Sequence, residues 1–256
     1  MGPDMYTSET LLNGPLPNVV VGIGCDGQSG KVKRTVSGTK GNVVVYTDPY
    51  KLVDDLVTGK IDAAVRGDMS SSILLPILKE RLGVNELERV VLLEPVGEKL
   101  ILATPVGIDE GWTVDQKYEL AVRSVRLMKK LGMGTKIAVM SGGRKDDMGR
   151  NPTVDRTIRD ALELTDKLLS EGYDAYHAEI LIESAVKKAD LIIAPDGISG
   201  NLIFRTLHFM GGAKALGAPL VNTNIVFVDT SRAKTDYKDS IALAMRLTEE
   251  TDDSRN

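Results

Sequence analysis

The chain has 256 residues, a formal net charge of −4 and 42% hydrophobic residues, enough for one large or two modest α/β cores and too apolar for disorder. One cysteine, Cys25, and two distant histidines, His177 and His208, exclude a disulfide framework and the His/Cys clusters of zinc-thiolate or corrinoid chemistry, so no metal site is expected. The acidic balance argues against a nucleic-acid partner, the lack of any long apolar run against a membrane, and the N-terminus against a secretory signal, so a cytoplasmic protein is expected.

Short β-branched runs alternate with helical patterns, the mark of βαβ units and a parallel sheet. Expected strands cover 18–23, 42–46, 61–65, 89–93, 99–103, 136–140, 191–194 and 225–228. The first runs into Gly22-Ile23-Gly24-Cys25-Asp26-Gly27, a G-x-G-x-x-G match with Asp48 after the next strand, a pattern used for dinucleotides and open to S-adenosylmethionine. The stretch QSGKVKRTVSGTKG that follows is polar and lacks apolar periodicity, so the helix that such a turn requires is not expected there. A P-loop reading fails as well, because the Gly24 to Gly30-Lys31 spacing is one residue too long and Val32 replaces the magnesium-binding hydroxyl.

Asp48 before Pro49 and Asn151 before Pro152 each put a capping side chain ahead of a proline already set at a helical φ, and Gly59 and Gly132 stop helices. The first signal predicts a short helix over 49–58. Arg66-Gly67-Asp68-Met69-Ser70-Ser71-Ser72 follows the third strand and makes Arg66 a candidate anion contact; a capped strand end with a surface ion pair is the plain alternative. PVGEKLILATPVGIDEGW combines a hairpin with a Pro/Gly passage, which places a lobe boundary near 104–111. Thr113 with Gln116 forms a capping box for a helix to about Leu131. Residues 217–223 repeat the breaker character, so the last strand and helix return to the first lobe: 1–106 plus 222–256 form one lobe and 107–221 the other. A polar tail closes the chain over 248–256.

Ligands of parallel α/β sheets bind beyond the carboxyl ends of strands. After 136–140 come Ser141, Gly142, Gly143 and Arg144, small residues whose N–H groups can approach an anion that Arg144 and Arg150 neutralise; a solvated charged loop is the alternative. After 191–194 come Asp196, Ser199, Gly200 and Asn201, at the head of a helix expected over 202–216, where a phosphate or carboxylate is favoured; a turn and a cap explain the same residues more simply. After 225–228 come Ser231 and Arg232, with Asp236 and Asp239 beyond, a set able to hold an oxyanion and supply a general base, or else an ordinary helix cap and ion pair. Cys25, His177 as a strand residue and His208 in mid-helix are read as packing residues.

From Ile101 onward, KIAVMS, DAYHAEILIESA, ADLIIAPDGISGNLIFRTLHFMGGAKALGAP and VDTSRA resemble the phosphate acetyl/butyryl transferase family. The whole chain, through TPVGIDEGWT, SGGRKDDMGRN, APDGISGNLIFRTL and VDTSRAK, resembles the methanogenesis marker protein 4 (MtxX) family, labelled a methyltransferase subunit. The resemblance implies an isocitrate/isopropylmalate dehydrogenase-like α/β fold, with two three-layer αβα lobes, a cleft between them, and commonly a homodimer. It also implies a small anionic ligand, a coenzyme A thioester or S-adenosylmethionine as donor, and methyltransferase partner subunits. In the acyltransferases a Ser-Arg-Gly followed by an aspartate works on the coenzyme A thiol and the attacking phosphate. Ser231 and Arg232 match it, Ala233 replaces the glycine, and the aspartate falls on Asp239, offset by one, or on Asp236. An arginine of that family early in the helix after the third strand is replaced by Leu75, and Arg66 is the substitute charge nearest in sequence. The expectation is a phosphate acyltransferase-like transferase, or a non-catalytic subunit that retains its cleft.

Overall fold

Helix starts follow the local chemistry of the chain. The Asp48 carboxylate accepts from Tyr50 N at 2.9 Å, the Asn151 amide oxygen from Thr153 N at 2.8 Å, and Thr113 and Gln116 bond reciprocally, so all three expected caps are formed. The computed structural model describes residues 5–28, 30–39 and 41–249, and 250–256 of the tail read over 248–256 lie outside them. In chain order the elements are α1 (Ser8–Leu12), β1 (Val20–Gly24), α2 (Lys31–Ser37), β2 (Asn42–Tyr46), α3 (Pro49–Val57), β3 (Ala63–Val65) and α4 (Ser71–Leu82). Then come β4 (Val91–Glu94), β5 (Ile101–Thr104), α5 (Val114–Lys130), β6 (Ile137–Met140), α6 (Pro152–Ser170), β7 (Ala175–Glu179), α7 (Ile182–Lys188) and β8 (Leu191–Ile193). The last are α8 (Gly197–Arg205), β9 (Lys214–Pro219), β10 (Val226–Asp229) and α9 (Lys238–Leu247).

The chain divides into a larger unit, Met1–Leu11 with Glu88–Ala215, and a smaller one, Leu12–Leu87 with Leu216–Asn256. In the smaller unit the strand order is β2-β1-β3-β10-β9, parallel except for β9 against β10. Its core packs Leu52, Val53 and Leu56 of α3 and Leu74, Ile77 and Leu78 of α4 together with Phe227 and Ala64 of the sheet. The larger unit has the order β4-β5-β8-β6-β7, with β4 antiparallel to β5 as the expected hairpin and the remaining pairs parallel. Leu102 of β5 pairs with Leu191 of β8, so β4 and β5, placed by sequence before the boundary, count with the larger unit.

Three local expectations are corrected. The helix expected over 202–216 begins at Gly197, becomes a π-helical turn over Thr206–Met210 and stops, because Gly211 and Gly212, the latter at φ +72°, turn the chain into β9. β9 hides in an apolar run whose Gly217 lies so close to β10 that an added Cβ would meet Val228 Cγ1 at 2.4 Å. The polar stretch after Gly27 does contain a helix, α2, anchored by buried Val32 and Thr35, too few apolar positions to register as a period. β7 was given no bounds among the expected strands, but it contains His177, which was read as a strand residue.

Arg66 and Asp229 close the smaller unit's sheet. They leave the ends of the adjacent parallel strands β3 and β10, their side chains are 7% and 11% exposed, and Arg66 Nε donates to the Asp229 carboxylate. Removing one partner of such a pair leaves an uncompensated buried charge, at about 3–5 kcal/mol. Arg66→Met is expected to lower the unfolding free energy in urea by roughly that amount, and Arg66→Met with Asp229→Leu to regain most of it.

Candidate functional site

In the smaller unit β1, β3 and β10 lie side by side and parallel, so the turns after Gly24, Val65 and Asp229 emerge together. Gly67, at φ +63°, brings the first two into backbone contact; an added Cβ would stand 1.9 Å from Gly24 O. The third is tied to the second by Thr230 Oγ1, which donates to Gly67 O at 2.8 Å, while Thr230 N donates to Asp229 at 2.8 Å. Arg66 Nη1 donates to Met69 O at 2.7 Å, so two edges of the guanidinium expected to meet a ligand are engaged with the protein.

Beyond this buried knot the chain turns outward. Ser231 is partly buried, its Oγ accepting from Ala233 N at 3.2 Å, and the Arg232 side chain is exposed while its carbonyl accepts from Lys31 Nζ at 3.0 Å. The Asp236 carboxylate accepts from Lys238 N at 2.7 Å at the head of α9, and Asp239 sits in that helix's first turn. Tyr237 between them is fully buried; burial, then the nearby Asp68 carboxylate, holds its phenol neutral far above the usual range. Cys25 Sγ and one oxygen each of Asp26 and Asp68 lie within 4.8 Å of one another, a proximity that sequence spacing concealed because Asp68 follows another strand.

In the larger unit β8 and β6 are parallel neighbours, which sets the turn after Ile193 beside the turn after Met140. α8 opens on Asp196, whose carboxylate accepts from Ser199 N at 2.8 Å, while Gly197 N donates to Glu110 O at 3.1 Å and Gly200 N to Asp196 O at 3.0 Å. Ser199, Gly200 and Asn201 therefore lie inside the first turns of α8, and several of the amides expected to face an anion already have acceptors. Asn201 Nδ2 donates to Val106 O at 2.8 Å, and an added Cβ on Gly200 would meet Pro105 O at 1.8 Å. The 105–110 segment below is held by buried Glu110, which takes Arg89 Nε at 2.6 Å and Gly107 N at 3.1 Å; burial raises its pKa against the pull of Arg89. Lys117, buried in α5, donates to Pro195 O at 3.1 Å and fixes the same turn from the other side.

After β6, Gly142 N donates to Thr157 Oγ1 at 2.8 Å and Arg144 N to Asp147 at 2.9 Å, leaving the Arg144 side chain exposed; Arg150 pairs with Asp147. Ser141 Oγ donates to Gly143 O at 2.7 Å and lies 2.8 Å from His177 Nε2. A hydroxyl has one proton, so Nε2–H is the donor to Ser141 and Nδ1 carries a lone pair, buried and without a hydrogen-bond partner. His177 of β7, read as packing, thus contacts the candidate loop. Burial first, then the positive charge of Lys145, pushes its pKa below 6.5, against the opposing pull of Glu179.

No family model matches the chain. Over 211 residues it is 44% identical to the "Putative methyltransferase mtx subunit X" of Methanosarcina acetivorans, covering 82% of this chain and 75% of that one. In fold it is similar to a branched-chain phosphotransacylase from Enterococcus faecalis, with a TM-score of 0.71 at 20% identity over 91% of this chain and 100% of that one. It is also similar to isocitrate dehydrogenase from Methylococcus capsulatus, with a TM-score of 0.53 at 11% identity over 90% and 85% of the two chains. These low identities speak to fold alone. Among the described residues no helix is long and apolar enough to cross a membrane.

Two outcomes are expected. Gly200→Ala forces a side chain against the Pro105 carbonyl and should cost at least ~1–3 kcal/mol in equilibrium denaturation. Because the folded chain holds His177 neutral below its ordinary value of 6.5, the unfolded chain takes up the proton first as pH falls. Stability should therefore be full above pH 6.5 and drop on acidification through that value, and His177→Gln should flatten the drop in denaturation midpoints between about pH 7.5 and 5.5.

Proposed function

This chain belongs to the mtx subunit X family, and on that premise we propose that it is a transferase binding a phosphate-bearing anionic donor, with Ser231 and Arg232 at the reacting end. The observation that carries the reading is the turn after β10. Its buried half is locked by Asp229 and Thr230, and its outer half leaves the Arg232 guanidinium exposed next to a serine hydroxyl at the carboxyl end of a central strand.

In this reading Arg232 stabilises the negative charge that develops as the group is transferred, Ser231 Oγ orients the nucleophile, and a carboxylate accepts its proton. We take Asp239, in the first turn of α9, as that base, with Asp236, whose carboxylate accepts from Lys238 N, as the alternative. In the larger unit the Ser141–Arg144 loop is a separate candidate anion contact through the exposed Arg144 side chain, its Gly142 and Arg144 amides being engaged within the loop and by α6. Arg66 acts from behind, as the counter-charge that fixes Asp229. The Asp196–Asn201 turn contributes shape more than free donors, because its first amides are engaged.

A second reading follows from the relatives' own name, which is that of one subunit among several. The chain would then bind the same donor, release it unchanged and present it to a methyltransferase partner.

The test is a thermal-shift screen with coenzyme A, acetyl-CoA, acetyl phosphate, inorganic phosphate and S-adenosylmethionine. A ligand at ~100 times its Kd stabilises by ~2.7 kcal/mol. A shift with the phosphate-bearing compounds that disappears in Arg232→Ala is expected. A shift with S-adenosylmethionine alone moves the reading to a methyl donor, and no shift with any of the five overturns it.

A further inference from the structure

β7 contributes no residue to the site proposed above, yet three of its contacts reach the glycine loop. Glu179 O accepts from Ser141 N at 2.9 Å, Glu179 Oε1 accepts from Lys145 N at 3.1 Å, and His177 stands 2.8 Å from Ser141 Oγ. Both ends of the loop are thus fastened to one short stretch of strand, and its middle is fastened through Ser141 to Gly143 O at 2.7 Å.

The backbone of β7 is shaped for this. Its register against β6 slips between Val139 and Met140, which pair with His177 and Glu179. Glu179 is the non-glycine residue, among those described, at positive φ, +57°, a conformation that side chains with a Cβ avoid. The slip carries the chain past Ala178 so that His177 and Glu179 can both serve the loop. An irregularity that disfavours the strand itself and satisfies a neighbouring turn is the pattern expected of a built support.

The geometry points to His177 and Glu179 as positioning residues: the relay from His177 Nε2–H through Ser141 Oγ–H to Gly143 O, with Glu179 holding Ser141 N and Lys145 N, keeps the 141–145 loop in the shape that presents the Arg144 side chain to an anion. The inference rests on the reading of that loop as an anion contact. His177 touches no substrate in this scheme; it acts through Ser141. The required group is the Nε2–H donor, which glutamine can supply and phenylalanine cannot.

The test compares wild type with His177→Phe, His177→Gln and Ser141→Ala by amide hydrogen exchange, reading Ser141 to Lys145 against α6 as an internal control. His177→Phe should speed loop exchange about tenfold, the effect of one lost hydrogen bond, with α6 unchanged, and His177→Gln should restore most of the protection. Ser141→Ala should match His177→Phe, and the double variant should be no faster than either single one, because both cut the same relay. Equal loop exchange in wild type and His177→Phe overturns the inference, as does His177→Gln exchanging like His177→Phe. If His177→Phe does not fold, Ser141→Ala against wild type decides the same question. Titration with inorganic phosphate separates the two proposals: if wild type does not bind it the anion reading fails, while loop exchange still judges the clamp. If it binds, His177→Phe should weaken it and His177→Gln should not.

Discussion

A guanidinium buried at the end of a parallel sheet has to be answered by a carboxylate, and in the smaller unit the answer to Arg66 is Asp229. That pairing joins residues far apart in sequence across neighbouring strands. Once Asp229 is held it orients the next amide, and Thr230 is held in turn by the Gly67 carbonyl. The chain therefore leaves β10 in one direction, and Ser231 and Arg232 emerge where that direction takes them. The exposed chemistry is cheap to vary; the buried charge beneath it is not, because changing one partner strands the other.

The elements read most clearly from sequence were those with local causes. Asp48-Pro49, Asn151-Pro152 and the Thr113/Gln116 box need only neighbours a few residues away, and all three are formed. Strands buried on both faces were legible as apolar runs. What stayed hidden depended on distant chain. β9 is a largely apolar run after Gly211-Gly212 whose strand state comes from pairing with β10, and α2 is held by two buried side chains in a polar segment. The same divide governs the site. The turns after β6, β8 and β10 were marked by composition, but the role of His177 depends on Ser141, 36 residues away, and that of Arg66 on Asp229, 163 residues away. The one available signal was that DAYHAE lies among the passages most like the family while offering no obvious chemistry.

Within the larger unit, two turns marked by composition are ordered in different ways. In the larger unit α8 satisfies its own first amides through Asp196 and the 105–110 segment, and Lys117 and Glu110 brace that floor from within. The glycine loop after β6 draws its order from β7, leaving the Arg144 side chain exposed. A fold shared with phosphotransacylases and dehydrogenases permits either turn to be recruited, and which chemistry results is decided by the few side chains at the rim.

The smaller unit is assembled from two separated pieces of chain, with β10 of the second piece lying beside β3 of the first. On the ribosome, Arg66 leaves the tunnel long before Asp229 is translated, and through that interval its charge has no partner to enter the interior with. The larger unit's continuous span, Glu88–Ala215, is complete in the meantime. The order of synthesis thus favours folding the span 88–215 before the smaller unit's earlier piece is joined by its later one, which carries Asp229.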